Sequence, residues 1–468
     1  LWQEWGGQQN TYWPRPELLE AIRRLPPLAA LMQRPIAEVA ASPPLSLALP
    51  ADVAWIPTKA TLEGTSSTST TTLIPFVELL IALNAAGLVF PADIVANLLL
   101  ALQVKRFVIL TGISGTGKTR IGQTIARVLR HGPSDNAEVI AVRPDWTDHR
   151  GLLGHYNPLT QAYVATPFLR LLLRARDEHT RARAAGENPA PYFALLDEMN
   201  LARVEHYFAD FLSALESGEA LHLHDVAALE AGSGNGAAPV VPRRLFVPPN
   251  LFFIGTVNVD ETTHFFSPKV LDRAFTIELD TVDLDGLASE LDPTGDLGLS
   301  NWSGRLDPPA QPSREDWQWL AKHGEGELAR HIKAIHALLA RHHRHFGYRV
   351  AEEIARFIRL AVHQAAEPES AAGVALDLAI LQKVLVKLNG TQADLEEPLR
   401  ELLDYALAGD STEPALHDPA FWKLDPAEGK VIPKDEASES VPLLPRSAAK
   451  LWRMRERLQR QGFTAWIE

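Results

Sequence analysis

The sequence of 468 residues contains no cysteine. This absence excludes disulfide bonds, a thiolate nucleophile and zinc sites that depend on cysteine ligands. A chain without disulfides suits the reducing conditions of the cytosol, and we therefore predict a cytoplasmic protein.

Long apolar runs are also missing. The longest apolar stretch, residues 73–90, contains Pro75, Glu78 and Asn84, whereas a membrane-spanning helix needs about 20 consecutive and predominantly apolar residues. The first ten residues, LWQEWGGQQN, have neither the basic flank nor the apolar run of a secretory signal. The sequence begins without Met, which leaves open whether residues 1–41 are the end of a larger domain. We expect no contact with membranes.

Positive charge is scarcer than negative charge. The chain has 45 Lys and Arg residues against 58 Asp and Glu residues, a net charge of −13. A protein that coats DNA by general attraction needs an excess of cations, because the neutralisation of phosphates supplies that affinity. The charge balance argues against such coating but allows a local basic pore. The composition, 46% hydrophobic and 22% charged, is that of a soluble globular protein of two to four domains.

Hydrophobic periodicity and composition divide the chain into six segments. Helical spacing marks the start, a Pro-, Ser- and Thr-rich stretch follows it, and alternating short apolar runs and helical patterns come next. The predicted segments are an N-terminal helical segment (1–41), a linker (42–72), an α/β core (73–285), an irregular connection (286–325), a helical lid (326–410) and a C-terminal extension with a terminal basic helix (411–468).

Short apolar runs alternate with helical patterns in the predicted core. Such alternation indicates a parallel sheet covered by helices on both faces. The five predicted strands are Arg106–Thr111, Glu138–Arg143, Tyr192–Asp197, Leu251–Val257 and Phe275–Leu279. Helices are predicted after the core at 326–345, 350–365, 375–389 and 394–408.

A glycine-rich stretch follows the first predicted strand. Residues 112–119 read GISGTGKT and fit the pattern G-x-x-x-x-G-K-[ST], in which backbone N–H groups and a helix N-terminus surround phosphate oxygens. Lys118 is expected to reach the β- and γ-phosphates, and the Thr119 hydroxyl to ligate Mg²⁺. The stretch therefore predicts a nucleoside triphosphate site. Its expected ligands are Gly112, Ser114, Gly115, Thr116, Gly117, Lys118 and Thr119.

Polar residues at the ends of two later strands are candidates for hydrolysis. The strand in YFALLDEMN ends in Asp197, expected to hold Mg²⁺, and is followed by Glu198, expected to orient or deprotonate the attacking water. The strand in LFFIGTVN ends in Asn258, whose carboxamide is expected to hold the γ-phosphate or the water. Its loss should reduce hydrolysis more than binding. Arg203, beside the next helix, is either a surface cation or an interface group, and we favour the interface.

The phosphate loop, LLDEMN and GTVN occur in an order that resembles the AAA+ superfamily, and longer strings narrow the resemblance. They are similar to McrB-type motors, which drive modification-dependent restriction in bacteria. The strings are VRPDWTDHRGLLGHYNP (142–158), LLDEMNLARVEHYFADFLSALE (195–216), PPNLFFIGTVNVDETTHFFSPKVLDRA (248–274) and FGYRV (346–350).

The resemblance covers about residues 75–468 and implies an AAA+ P-loop NTPase: an α/β core with a parallel five-stranded sheet, an α-helical lid and C-terminal helices. It also implies a ring, expected to be a hexamer, in the bacterial cytoplasm. Arg273 would act in trans on the triphosphate of the neighbouring subunit, and Arg349 would be a lid residue that senses the nucleotide. The implied partners are DNA and a separate McrC-like nuclease subunit. The aromatic string at 146–158 is expected to form a loop or hairpin insertion that lines a central pore.

The chain departs from the McrB pattern after Asn258. The McrB signature reads Met-Asn-x-x-Asp-Arg, whereas this chain has VNVDET, and RAFTIEL replaces an arginine-rich run after residue 272. A preference for GTP is therefore not implied, and ATP and GTP both remain open. Two other functions also remain open: a MoxR- or dynein-related remodeller of proteins, and a nucleotide-gated scaffold that recruits a partner by binding without turnover. We expect no nuclease activity in this chain.

Overall fold

The computed structural model divides the chain into two compact units, Leu1–Thr65 and Ser66–Glu468. The residues that the structure describes are 2–4, 12–14, 79–80, 82–83, 88, 90–129, 135–225, 241–258, 264–279, 306, 311–365, 368–425, 429–435 and 438–467.

The start of the chain differs from the helical prediction. In the first unit β1 (Trp2–Glu4) and β2 (Tyr12–Pro14) pair in antiparallel register. Both stretches are rich in Trp and Tyr, which favour strands over helices. The helical patterns predicted between residues 16 and 41 and the linker predicted at 42–72 lie outside the described residues.

The second unit is an α/β core followed by helices. Its described strands are β3 (Phe107–Gly112), β4 (Ala137–Ala141), β5 (His155–Asn157), β6 (Ala162–Val164), β7 (Tyr192–Asp197), β8 (Leu221–His222), β9 (Arg244–Leu245), β10 (Leu251–Asn258), β11 (Phe275–Glu278), β12 (Asn389–Thr391), β13 (Trp422–Asp425), β14 (Lys430–Pro433) and β15 (Phe463–Ala465). Its described α-helices are α1 (Ala92–Val104), α2 (Lys118–Val128), α3 (Arg150–Leu153), α4 (Pro167–Ala184), α5 (Val204–Tyr207), α6 (Ala209–Ser217), α7 (Pro268–Leu271), α8 (Arg314–Leu320), α9 (Glu327–Arg341), α10 (Tyr348–Gln364), α11 (Pro368–Lys383), α12 (Gln392–Ala408) and α13 (Pro445–Gln461).

Five parallel strands form the central sheet, in the order β11–β3–β10–β7–β4. The predicted five-stranded parallel sheet is therefore confirmed. The predicted strand bounds differ from the observed ones by at most about two residues, which is the usual scatter of strand ends.

Helices cover both faces of the sheet. Phe253 and Ile254 are neighbours on β10, so their side chains point to opposite faces. Phe253 contacts Phe168 of α4, with ring centroids 6.2 Å apart. Ile254 lies on the face of α2, where a Cβ added to Gly122 would stand 3.4 Å from its Cδ1 atom. The inner strands β3, β7 and β10 are buried along nearly their whole length, which explains why they are largely apolar rather than alternating.

The helical region after the core is confirmed, with shifted bounds. The predicted helix at 375–389 is found as α11, which begins at Pro368, a residue favoured in the first turn of a helix. The irregular connection predicted at 286–325 contains α8, so that part of the prediction is wrong. A capping box between Ser313 and Asp316 starts this helix.

The C-terminal extension holds strands that the sequence reading did not predict. β13 and β14 form an antiparallel hairpin, and β15 pairs with β12. The predicted terminal helix is present as α13, and Lys450 on it donates to Glu278 at the end of β11. The terminal helix therefore contacts the edge strand of the central sheet. Over the described part of the chain, no helix is both long and apolar enough to cross a membrane.

Candidate nucleotide site

The glycine-rich loop lies between the end of β3 and the start of α2. Gly115 and Gly117 have φ angles of 88° and 85°, a left-handed region that favours glycine. A Cβ atom on Gly117 would also stand 3.2 Å from the Phe90 ring. The backbone conformation therefore favours glycine at residue 117, and the packing leaves little room for a larger side chain. The loop brings the predicted phosphate ligands, residues 112–119, together at the N-terminus of α2.

Lys118 folds back over this loop. Its ammonium donates to the carbonyl oxygens of Gly112, at 2.9 Å, and Ile113, at 2.6 Å. Burial lowers the pKa of Lys118, and the carboxylates of Asp197 and Glu198 oppose that shift. The ammonium therefore lies against the loop and feels the charges of the two acids.

One carboxylate oxygen of Asp197 accepts two hydroxyl hydrogen bonds. The Thr119 hydroxyl donates to Asp197 Oδ1 at 2.6 Å, and the Thr256 hydroxyl donates to the same oxygen at 2.8 Å. The backbone N–H of Glu198 donates to the Thr256 hydroxyl at 3.1 Å. Thr256 thus ties β10 to the acidic end of β7.

Thr256 was not among the site residues predicted from the sequence. A usable signal was present, because residues two apart on a strand point to the same face, and Thr256 stands two before Asn258. The spacing therefore puts the Thr256 hydroxyl on the same face as the predicted Asn258 carboxamide.

The Thr119 hydroxyl and the Asp197 carboxylate fit a magnesium ion. Mg²⁺ prefers oxygen ligands and is commonly held by one or two carboxylates plus substrate phosphates. Their hydrogen bond places these two oxygen atoms, both possible metal ligands, 2.6 Å apart beside the phosphate loop. These are the two residues that would hold the ion.

Glu198 follows β7 in a left-handed conformation, with φ and ψ both 50°. Such a conformation is uncommon for a residue other than glycine and is found preferentially at functional sites. Asn258 Nδ2 donates to Glu198 Oε1 at 2.8 Å, and Asn258 pairs with Gly112 in the sheet. The structure therefore brings Glu198, Asn258 and the phosphate loop together, as the sequence predicted for these residues.

Further hydrogen bonds support residues 197–200, which follow the end of β7 and which we call the acidic turn. Asn200 Nδ2 donates to the carbonyl of Asn258 at 3.4 Å, and the Tyr207 hydroxyl donates to the carbonyl of Met199 at 2.9 Å. Arg203 is exposed at the start of α5. Within the described residues it makes no hydrogen bond to the acidic turn, and its interface role remains a prediction.

Arg273 and Arg349 lie away from the phosphate loop of their own chain. Arg273 comes two residues before Phe275, which pairs with Val108 near the start of β3, whereas the loop follows the end of β3. At about 3.3 Å per residue, the strand separates the two sites by roughly 17 Å. Arg349 shares with Arg273 a contact to Glu216. The structure thus groups both arginines near the opposite end of the sheet.

We expect Thr256→Val to lower turnover by about tenfold or more. The change removes one hydrogen bond to an ionised carboxylate, worth about 1.5–3 kcal/mol, and leaves the Glu198 N–H without its acceptor. Steady-state phosphate release measures the effect. Thr276→Val is the matched control, because the buried Thr276 hydroxyl makes no hydrogen bond to the residues the structure describes. Equal rates in the two variants would show that Thr256 has no role in the site.

One family model covers the residues of this site. Residues 107–274 match the family model of an AAA domain, dynein-related subfamily. Residues 311–463 match a domain of unknown function, DUF8727. A search of curated proteins found no significant match. Among solved structures, the crystal structure of a candidate ATPase from Cytophaga hutchinsonii shares 15% identity, covering 66% of this chain and 87% of its own, with a TM-score of 0.36.

Proposed function

We propose that this chain, in which residues 107–274 form an AAA+ ATPase domain of the dynein-related subfamily, is the ring-forming motor of a McrBC-like restriction complex. One observation carries the enzymatic part: Asp197 accepts from Thr119 of the phosphate loop while Glu198 accepts from Asn258. A triphosphate site is thereby joined to groups suited to activate water. ATP and GTP both fit this arrangement.

Hydrolysis is assigned to side chains at the carboxyl edge of the sheet. Loop N–H groups and the N-terminus of α2 bind phosphate oxygens, and Lys118 neutralises the terminal phosphates. Mg²⁺, held by Thr119 and Asp197, would add charge stabilisation at the phosphates. Glu198 orients the attacking water and accepts its proton, and Asn258 fixes the Glu198 carboxylate.

Assembly completes the site in this proposal. Arg273 and Arg349 lie near the amino end of the sheet, too far to serve their own phosphate loop. In a ring, that end of one subunit would face the phosphate loop of the next subunit. An arginine supplied in this way stabilises transition-state charge and contributes about 10³–10⁵ in rate.

The restriction role rests on the strings that resemble McrB-type motors. DNA and a McrC-like nuclease are the proposed partners, and the nuclease would do the cutting. Two of those strings, at 195–216 and 248–274, carry the acidic turn and Arg273, so the resemblance coincides with the residues of the site.

A protein remodeller is the second candidate, and the β5–β6 hairpin favours it. The aromatic string at 146–158 was predicted to form a loop or hairpin. The structure has the short helix α3 in the middle of this string, and an antiparallel hairpin begins only at His155. Residues 155–164, HYNPLTQAYV, contain no lysine or arginine, and Leu159 is 93% exposed at the tip. A tip that exposes Leu159 and carries no lysine or arginine suits a polypeptide better than DNA phosphates.

Phosphate release with different effectors tests the choice. We expect stimulation by double-stranded DNA together with a co-purifying nuclease subunit. Stimulation by an unfolded polypeptide, with none by DNA, would support the remodeller instead. Nucleotide binding without release under any of these conditions would identify a scaffold and refute both motor functions.

A further inference from the structure

Two arginines from distant parts of the chain share one carboxylate. Glu216, near the C-terminal end of α6, contacts Nη2 of Arg273 and Nη1 of Arg349. The carboxylate is 41% exposed, whereas the Arg273 side chain is only 15% exposed. Arg349 is 37% exposed, so Glu216 and Arg349 are the accessible members of this group and Arg273 is the least accessible. We call Arg273 and Arg349 the arginine pair.

The guanidinium of Arg273 is bonded on three sides within its own chain. Nε donates to the carbonyl of Leu212 at 3.0 Å, Nη1 donates to the carbonyl of Lys269 at 2.8 Å, and Nη2 contacts Glu216. Burial, together with the nearby Arg349, lowers the pKa of Arg273. Nη2 is therefore the nitrogen of Arg273 at which an outside anion would compete with Glu216.

Lysines already neutralise the other carboxylates around the arginine pair. Glu353 pairs with Lys105 and with Lys383, the latter at 2.7 Å, and Asp272 pairs with Lys387. Arg349 is more distant from both acids, with N–O separations of 3.9 and 4.0 Å. Glu216 is thus the main counter-ion of the two arginines among the described residues.

The whole cluster carries more positive than negative groups. Among the described residues, the basic groups are Lys105, Arg273, Arg349, Lys383 and Lys387, and the carboxylates are Glu216, Asp272 and Glu353. Burial lowers the pKa of Lys383 to about 7, so this lysine is only partly charged near neutral pH, and the four other cations still outnumber the three carboxylates. The excess attracts an anion from outside. Glu216 also lies at the negative end of the α6 dipole, which is an unfavourable position for a carboxylate. Another anion can therefore replace Glu216 at the arginines more readily.

We propose that Glu216 competes, within its own chain, for the arginine pair. Its carboxylate stays bound to Arg273 and Arg349 until the triphosphate of an adjoining copy displaces it. The inference rests on the proposed action of Arg273 in trans. A triphosphate offers several charged oxygens with the geometry that arginine binds in bidentate fashion, so it can replace a single carboxylate. The negative charge of Glu216 then restrains turnover in rings that are not fully loaded.

The test is Glu216→Gln, which keeps the size of the side chain and removes its charge. We expect phosphate release per chain to rise about fivefold or more at low protein and nucleotide concentrations, with a smaller change at saturation. Glu219→Gln, three residues further on and exposed, is the matched control and should match the wild type. Glu216→Asp, which keeps the charge, should remain restrained.

Two further measurements separate competition from a structural role. Adding Arg273→Ala to Glu216→Gln should abolish the rise in phosphate release, because Arg273 is the group that the loss of the Glu216 charge sets free. Unchanged or lower release by folded Glu216→Gln protein would overturn the inference while leaving the proposed function intact, provided that the wild type hydrolyses and Glu198→Gln does not. A wild type that never releases phosphate would overturn both.

Discussion

Glu198→Gln is expected to leave nucleotide binding intact while lowering phosphate release by roughly 10²–10⁴-fold. Glutamine keeps the shape of the side chain and an oxygen that can accept from Asn258, but it cannot take a proton from water. The bound triphosphate then persists, and the ring should be more stable than that of the wild type. Phosphate release, binding of a fluorescent nucleotide and sedimentation measure the three effects.

Lys118→Ala is the matched control for this prediction. It removes the ammonium that lies against the phosphate loop, so both binding and turnover should be lost. The contrast between the two variants separates the binding group from the hydrolytic one. A Glu198→Gln protein that releases phosphate at the normal rate would show that the assigned role of Glu198 is wrong.

Arg273→Ala should lower turnover by about 10³-fold or more, and mixing it with Lys118→Ala should restore part of the activity. The first variant retains an intact phosphate loop, and the second retains Arg273. In rings formed from an equal mixture, half of the subunits carry the intact loop and half carry the intact arginine. About a quarter of the interfaces would therefore combine the two. Phosphate release before and after mixing measures the rescue.

Two outcomes would contradict the action of Arg273 in trans. A mixture that stays inactive, although sedimentation shows mixed rings, would mean that no complete site forms between subunits. Full activity of Arg273→Ala alone would mean that the residue has no role in turnover. Arg273→Ala also loses the contact with Glu216, so its folded state must be checked by circular dichroism.

The phosphate loop and the acidic turn were predictable because short-range patterns determine them. An apolar strand, a glycine-rich turn and a helix specify the loop, and a buried parallel strand delivers Asp197 to the same edge of the sheet. The five strands follow from the same alternation. Thr256 was within reach of this reasoning, because its strand and its alternation with Asn258 were already predicted.

Contacts between distant residues were not predictable in this way. Glu216 and Arg349 are 133 residues apart, and no local pattern indicates that they meet. The pairing of β12 with β15 has the same character, since both strands are short and join separate segments. α8 was not predicted for a different reason. The Pro and Gly residues before it indicated an irregular segment, and the capping box at Ser313 was overlooked.

The most direct test of the central claim is phosphate release by the wild-type protein as a function of its own concentration, with Mg²⁺ and either ATP or GTP. The claim is that Lys118, Asp197 and Glu198 split a triphosphate in a site that an adjoining subunit completes. It predicts release per chain that rises with protein concentration and disappears in the Lys118→Ala protein. Release per chain that is independent of concentration would contradict the shared site, and no release with either nucleotide would contradict hydrolysis itself.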